Sequence, residues 1–177
     1  MGFSVCTSSY NNALYLSTLV KEVNYKIYVV MGGMQPSSLP REVLKNNAVD
    51  IVVRGEGEET TLELLRAIKE KQDLNKIEGL ALRIGDEIIE TPDRPLIGNL
   101  DSLPFPAYHL LAMDKYTLPA SRRITRKRCG SLVTSRGCPY RCLFCSHNSI
   151  FKGKLRFRSP ENIIAEIRQL VEIYNIG

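Results

Sequence analysis

The sequence predicts an α/β fold in which a doubly wound, largely parallel sheet fills the first hundred residues and one further β/α unit follows. Three observations carry that reading. Short apolar runs alternate with amphipathic helical patterns; a proline-rich stretch coincides with a break in charge near residue 100; and a hydrophobic content of 44% supports a packed core. Strands separated by helices connect through right-handed crossovers, which makes neighbouring strands parallel.

Gly2–Val5 reads as a buried strand, and an amphipathic helix follows from about Asn11 to Val23, with Leu14, Leu16, Leu19, Val20 and Val23 apolar. Lys26–Met31 is a second strand that runs into Gly32-Gly33, and Ser37 and Ser38 are expected to cap a short helix through Leu44. Val49–Val53 is a third strand, Glu59–Glu70 a strongly patterned helix, and Gly79–Ile84 with Glu87–Glu90 a hairpin turning at Gly85-Asp86. This order suits a Rossmann- or flavodoxin-like sheet. Farther on, Gly130–Ser135 reads as a strand and Pro160–Tyr174 as a helix, with Ser159 at its N-cap, Pro160 in the first helical position and Glu161 in the first turn. A single β/α unit cannot close a barrel. The chain is therefore expected to be a fragment truncated at both ends.

The net charge of +5 hides an asymmetry. Residues 1–100 hold 11 basic and 14 acidic side chains, residues 101–177 hold 13 and 5, and no acid occurs between Lys115 and Pro160. The prolines from Pro92 to Pro106 coincide with this break, which divides the chain into residues 1–99, a basic linker over 100–128, and residues 129–177. No apolar run is long enough to span a membrane, and a cytoplasmic location is expected.

Cys138, Cys142 and Cys145 lie in Arg136-Gly137-Cys138-Pro139-Tyr140-Arg141-Cys142-Leu143-Phe144-Cys145, a C-x3-C-x2-C spacing. Three thiolates fill three corners of a [4Fe–4S] cube and leave the fourth iron open, whereas electron-transfer clusters take four cysteines. An open position separates catalytic metal sites from structural ones. A zinc site would need a fourth ligand, for which only Cys129 and His147 are candidates, and neither forms the second half of a paired knuckle. Disulfides fit poorly with five cysteines, an odd number. Cys6 and Cys129 are expected to be small core residues of strands. His109 and His147 read as surface histidines, although His147 lies near enough to the loop to contact a ligand there.

The cysteine segment resembles the signature of the radical S-adenosylmethionine (radical SAM) enzymes. The resemblance implies that Cys138, Cys142 and Cys145 ligate a [4Fe–4S] cluster, that S-adenosylmethionine (SAM) chelates the fourth iron, and that an electron from the cluster cleaves it to a 5′-deoxyadenosyl radical. Phe144 then takes the place that packs beside the SAM adenine. It also implies that residues 129–177 begin a partial (β/α) barrel of the TIM type. The first part resembles the cobalamin (B12)-binding domain that precedes the radical SAM core in one subclass. That likeness rests on Gly2-Phe3-Ser4-Val5, Gly32-Gly33-Met34-Gln35-Pro36 and the run from Val49 to Arg54-Gly55-Glu56-Gly57-Glu58. It implies that Ser4, Thr7, Gly32 and Gly33 line the channel for the nucleotide tail of cobalamin. Many relatives carry His where Gln35 stands.

Together the two resemblances imply a cobalamin-dependent radical SAM enzyme, a methyltransferase or cyclase acting on an unactivated carbon of a small or lipid-like substrate. A methylthiotransferase-like RNA modifier is the alternative enzyme; such enzymes usually carry extra cysteines in the first domain, where only Cys6 is found. A non-catalytic iron–sulfur or cobalamin binding module is the other alternative. Arg122, Arg123, Arg126, Lys127, Arg128, Arg136, Arg141, Lys152, Lys154, Arg156 and Arg158 would surround the cluster with positive field. That field suits an acidic flavodoxin- or ferredoxin-like reductant, or belongs to a solvated basic linker with no partner. Few aromatics interleave with these charges, which argues against nucleic acid.

Overall fold

In the computed structural model, which describes residues 1–85, 87–116, 129–140 and 142–176, the chain divides into two compact units. One comprises residues 1–97 together with 137–153, the other residues 98–136 with 154–177.

The first unit is built on a five-stranded sheet. Its strands are β1 (Gly2–Ser4), β2 (Val30–Gly32), β3 (Ile51–Val53), β4 (Leu80–Ile84) and β5 (Glu87–Glu90), side by side in sequence order. β1, β2 and β3 are parallel, with Ser4 opposite Gly32 and Val30 opposite Ile51. β4 and β5 add on as an antiparallel hairpin, so the sheet is mixed. The helices are α1 (Tyr10–Val23), α2 (Met34–Ser38), α3 (Pro40–Leu44), α4 (Gly57–Glu70) and α5 (His147–Phe151). One core cluster joins Val5, Ala13, Met31, Val43, Leu44, Val49, Val52 and Ala81, and another joins Ile51, Val53, Leu64, Ala67, Ile77, Leu80 and Leu82. Alternate residues of β3 thus feed opposite clusters, as a strand with both faces covered requires.

The strands are shorter than the apolar runs that announce them. Lys26–Val29 and Val49–Asp50 lie outside regular pairing, although Val29 and Val49 are buried. Asp50 organises this end: its carboxylate accepts from Lys21 Nζ at 2.7 Å and from the Val29 amide at 2.6 Å. Ser37 and Ser38 do not cap a helix start, contrary to expectation. They close α2, and the helix that runs to Leu44 begins at Pro40. Proline presets φ and has no amide to leave unbonded in a first turn, so it starts the helix that the serines were expected to start.

The second unit is organised by α6 (Pro160–Tyr174), whose start matches its sequence signals: Ser159 Oγ accepts from the Asn162 amide at 3.1 Å, Pro160 stands in the first turn, and Glu161 follows. Asn175 ends it in the left-handed region at φ 54°. The strand expected over Gly130–Ser135 is reduced to β6 (Ser135–Arg136), which pairs antiparallel with β7 (Arg156–Phe157). Among the described residues no parallel strand lies beside 130–134, and only the Thr134 carbonyl is drawn into the β6–β7 pairing, by the Arg158 amide at 2.9 Å. Cys129 therefore does not start a strand. Residues 100–116, read from composition as linker, hold three single helical turns, and Tyr108 and Met113 pack with Leu170 of α6.

Candidate functional site

The carboxyl ends of β1, β2 and β3 lie along one edge of the sheet, where ligands of open α/β sheets bind. Ser4 faces Gly32 across the ladder, and the next amide, of Val5, donates to the Gly32 carbonyl at 2.8 Å. The chain then turns through Thr7–Ser9, and the Thr7 hydroxyl donates to Gln35 Oε1 at 2.8 Å. Ser4, Thr7, Gly32 and Gly33 are thus gathered at one place, with Ser4 and Thr7 exposed. Gly33 has φ +100°, and a Cβ there would stand 2.7 Å from the Val5 carbonyl oxygen and 2.8 Å from its nitrogen. Close packing of α2 on the exit of β1 therefore demands a glycine, whatever else binds at this edge.

The Arg54-Gly55-Glu56-Gly57-Glu58 run closes the third strand's end. The Gly55 amide, at φ +76°, donates to Ser37 Oγ at 3.0 Å and ties β3 to α2. Arg54 donates to the Thr91 carbonyl, and to Asp93 Oδ1 at 2.8 Å. Buried Glu56 accepts from the Ile97 amide at 2.8 Å. These residues bind the parallel strands to the hairpin and to the segment after it. Glu58 and Glu59 lie in the first turn of α4, where the helix dipole favours acids.

Cys6 departs from its expected place. It is exposed, not a core residue, because the strand ends at Ser4 and the chain turns at once. Its Sγ lies 3.1 Å from Ser8 Oγ and 3.4 Å from Ser9 Oγ. Those hydroxyls, Ser8 foremost, stabilise the thiolate and pull its pKa down to about 7. The Cys-Thr-Ser-Ser run was the available signal, since clustered hydroxyl residues favour turns over strand interiors.

The cysteine loop belongs to the same compact unit. Gly137 enters it at φ +97°, the Cys145 amide donates to the Cys142 carbonyl at 3.1 Å, and α5 follows. Cys138 is half-buried, Cys142 and Cys145 are exposed, and all three are free thiols. Leu143 and Phe144 project into solvent, Phe144 at 93% exposure. Ile150 is buried and anchors α5, which packs against α2; Lys152 pairs with Asp93 at 2.7 Å. His147 is half-buried, in tilted contact with Phe151 with ring centroids 4.6 Å apart. Among the described residues no three Cys, His, Asp or Glu side chains converge as a metal-holding group. The donor set nevertheless suits an iron–sulfur cluster in number and type: three unpaired thiols on one exposed loop.

The basic set divides. Arg122, Arg123, Arg126, Lys127, Arg128 and Arg141 lie outside the described residues. Lys152 is paired with Asp93, and Arg158 is buried against Glu166, so neither offers a free charge. Lys154 is exposed, and Arg136 and Arg156 are half-buried.

Comparison with known proteins finds two family matches, one in each half of the sequence. Residues 1–65 match the B12 binding domain, and residues 132–176, which contain all three loop cysteines, match the radical SAM superfamily. The chain belongs to the radical SAM proteins that carry a B12-binding domain. It is 36% identical to an uncharacterized methyltransferase of Pyrococcus horikoshii, over 99% of this chain and 37% of that protein. It is 31% identical to the anaerobic magnesium-protoporphyrin IX monomethyl ester cyclase of Synechocystis, over 100% of this chain and 35% of that one. Among solved structures it resembles OxsB, a cobalamin-dependent SAM radical enzyme, with a TM-score of 0.76 at 21% identity over 98% of this chain and 23% of OxsB. It also resembles the methyltransferase TsrM of Kitasatospora setae, solved with cobalamin and a [4Fe–4S] cluster, with a TM-score of 0.70 at 20% identity over 97% of this chain and 35% of TsrM. The α/β fold is that of these proteins. The chain spans about a third of the length of the curated relatives it matches. No helix among the described residues is long and apolar enough to cross a membrane.

Proposed function

We propose that this chain serves as the cofactor-binding part of a cobalamin-dependent radical SAM enzyme, a methyltransferase or cyclase. One observation carries the reading: a three-thiol loop and a sheet edge of the B12-binding kind occur in one compact unit, with the helix after the loop packed on the helix after the glycine pair.

Cys138, Cys142 and Cys145 would hold the [4Fe–4S] cluster, Phe144 would cover the SAM adenine, and Ser4, Thr7, Gly32 and Gly33 would receive the nucleotide tail of cobalamin. When bound, the cluster supplies the electron that cleaves SAM, and cobalamin carries a methyl group or accepts an electron. The chain's own part is to bind and to orient. Gly33 lets α2 approach the backbone of β1, Thr7 holds Gln35, and the exposed loop leaves its thiols free to close on iron. A small-molecule substrate, an acidic flavodoxin- or ferredoxin-like reductant and a cytoplasmic location complete the proposal, since free thiols and a reduced cluster suit a reducing compartment.

Anaerobic reconstitution of the chain with iron and sulfide, followed by SAM and dithionite, tests this. Bound iron, cobalamin retention and release of 5′-deoxyadenosine would support the enzyme. Bound cofactors without 5′-deoxyadenosine would favour the binding module, and a chain that takes up no iron would overturn the reading.

A further inference from the structure

The second unit contains a buried ionic network that the proposed function does not use. Glu166 of α6 is 1% exposed and Arg158 is 11% exposed at their side chains, and the two are paired. Arg158 sits in the junction from β7 to α6 and makes most of its bonds there at once. Its amide donates to the Thr134 carbonyl at 2.9 Å, its Nη1 to the Val133 carbonyl at 2.9 Å, and its Nε to Asn162 Oδ1 at 2.7 Å. The guanidinium lies 5.6 Å from the centre of the Phe105 ring. Tyr108 donates its hydroxyl to the other Glu166 oxygen at 2.5 Å, which together with burial raises its own pKa.

A buried carboxylate is tolerable only when its partners are complete, and removing one partner costs far more than the pair contributes. Here the partners come from three places: Tyr108 and Phe105 from the proline-rich segment, Arg158 from the β7–α6 junction, and α6 itself. What Arg158 grips is backbone. The carbonyls of Val133 and Thr134 immediately precede β6, and β6 ends two residues before Cys138. Among the described residues, 130–134 lie in no strand: the Arg158 amide carries the β6–β7 pairing one bond further, to Thr134, and its guanidinium adds a bond to the Val133 carbonyl.

We infer that Glu166, Arg158 and Tyr108 form a clamp that positions the strand from which the cysteine loop departs, with Glu166 acting as a positioning residue through Arg158. Its relevance to a cluster rests on the proposed function above; the clamp itself does not.

The test separates the two. Hydrogen exchange of residues 131–136 is measured in the metal-free chain for wild type, Glu166→Gln, Arg158→Lys and Tyr108→Phe, with β3 residues 51–53 as a control for global opening. Glu166→Gln is expected to speed exchange at 131–136 by about tenfold with β3 unchanged, and Arg158→Lys, which keeps charge but loses the planar fork, by less. Should Glu166→Gln open the whole chain, Tyr108→Phe, which removes one bond only, carries the comparison with a smaller acceleration of the same segment. Exchange at 131–136 indistinguishable from wild type in all three variants would overturn the clamp.

After reconstitution, the same variants are compared by iron content and by the electron paramagnetic resonance spectrum of the reduced cluster. Lower iron or a broadened spectrum in Glu166→Gln is expected. A wild-type spectrum at full iron in a variant whose strand exchanges faster would overturn the positioning role. A wild type that takes up no iron would overturn the proposed function, while the exchange data still decide the clamp.

Discussion

The sheet edge and the cysteine loop lie in one compact unit and are built in opposite ways. At the edge each ligand candidate is already committed to the fold: Gly33 cannot accept a Cβ, Thr7 is bonded to Gln35, and Ser4 is in register with Gly32. In the loop, Leu143 and Phe144 stand in solvent and the three thiols do not converge. The edge is thus organised by the fold's own contacts, whereas under the proposed function the loop would take its geometry from the cluster it binds. Binding free energy is then partly folding free energy, as in small metal-stabilised segments.

That contrast can be broken most directly at the cysteines. Replacing any one of Cys138, Cys142 or Cys145 with serine is expected to lower iron from about four atoms per chain to well under one after reconstitution. The thermal midpoint of the metal-free chain should stay within error of wild type; a marked drop would mean that the loop is already part of the packed structure. Gly33→Ala should do the reverse. Its forced approach to Val5 is expected to cost about 1–3 kcal/mol in denaturant unfolding, with iron uptake retained by the molecules that remain folded.

Two smaller effects sharpen the same contrast. Alkylation of Cys6, followed by mass spectrometry of its peptide, should reach half its plateau rate near pH 7, where the thiol titrates. Ser8→Ala removes the main thiolate donor and should move that midpoint upward; an unmoved midpoint would deny the edge its preorganised hydroxyls. Smallest is the Asp93–Lys152 pair, which joins the segment after α5 to the hairpin side and is half exposed at both ends. Lys152→Ala should cost less than about 1 kcal/mol at neutral pH. Lys152, then Arg54, holds the Asp93 carboxyl below its ordinary range. The contribution is therefore full above the ordinary carboxylate pKa and lost as pH falls through the depressed one. The difference between wild type and Lys152→Ala should shrink in acid, measured as unfolding free energy against pH.

Much of this was legible in the sequence because it is local. Ser159-Pro160-Glu161 marks a helix start by capping chemistry that needs no tertiary partner, and the hairpin of β4 and β5 follows from alternating apolar residues around Gly85. What depended on distant partners was not. Periodicity cannot say that the hairpin would join β3 antiparallel and make the sheet mixed, because that is a choice between edges. Gly130–Ser135 has strand composition, but among the described residues only Ser135 finds a neighbouring strand. Cys6 follows an apolar run, yet the hydroxyls after it end the strand. Glu166 shares a helical stripe with Ile163 and Leu170, and an acid on an apolar stripe is the sequence signal for a buried pair.

The clamp also has a consequence for the order in which the molecule assembles. Tyr108 and Glu166 are separated by 58 residues, as are Asp101 and Ser159, whose carboxylate and amide bond across the same unit. Such non-local contacts form late, and during synthesis they cannot form until α6 has left the ribosome. By then Cys138, Cys142 and Cys145 are already outside, on a loop whose leading strand is still unpinned. The thiols therefore pass through a period in which they are reachable but unframed, which lasts until α6 has closed on Tyr108.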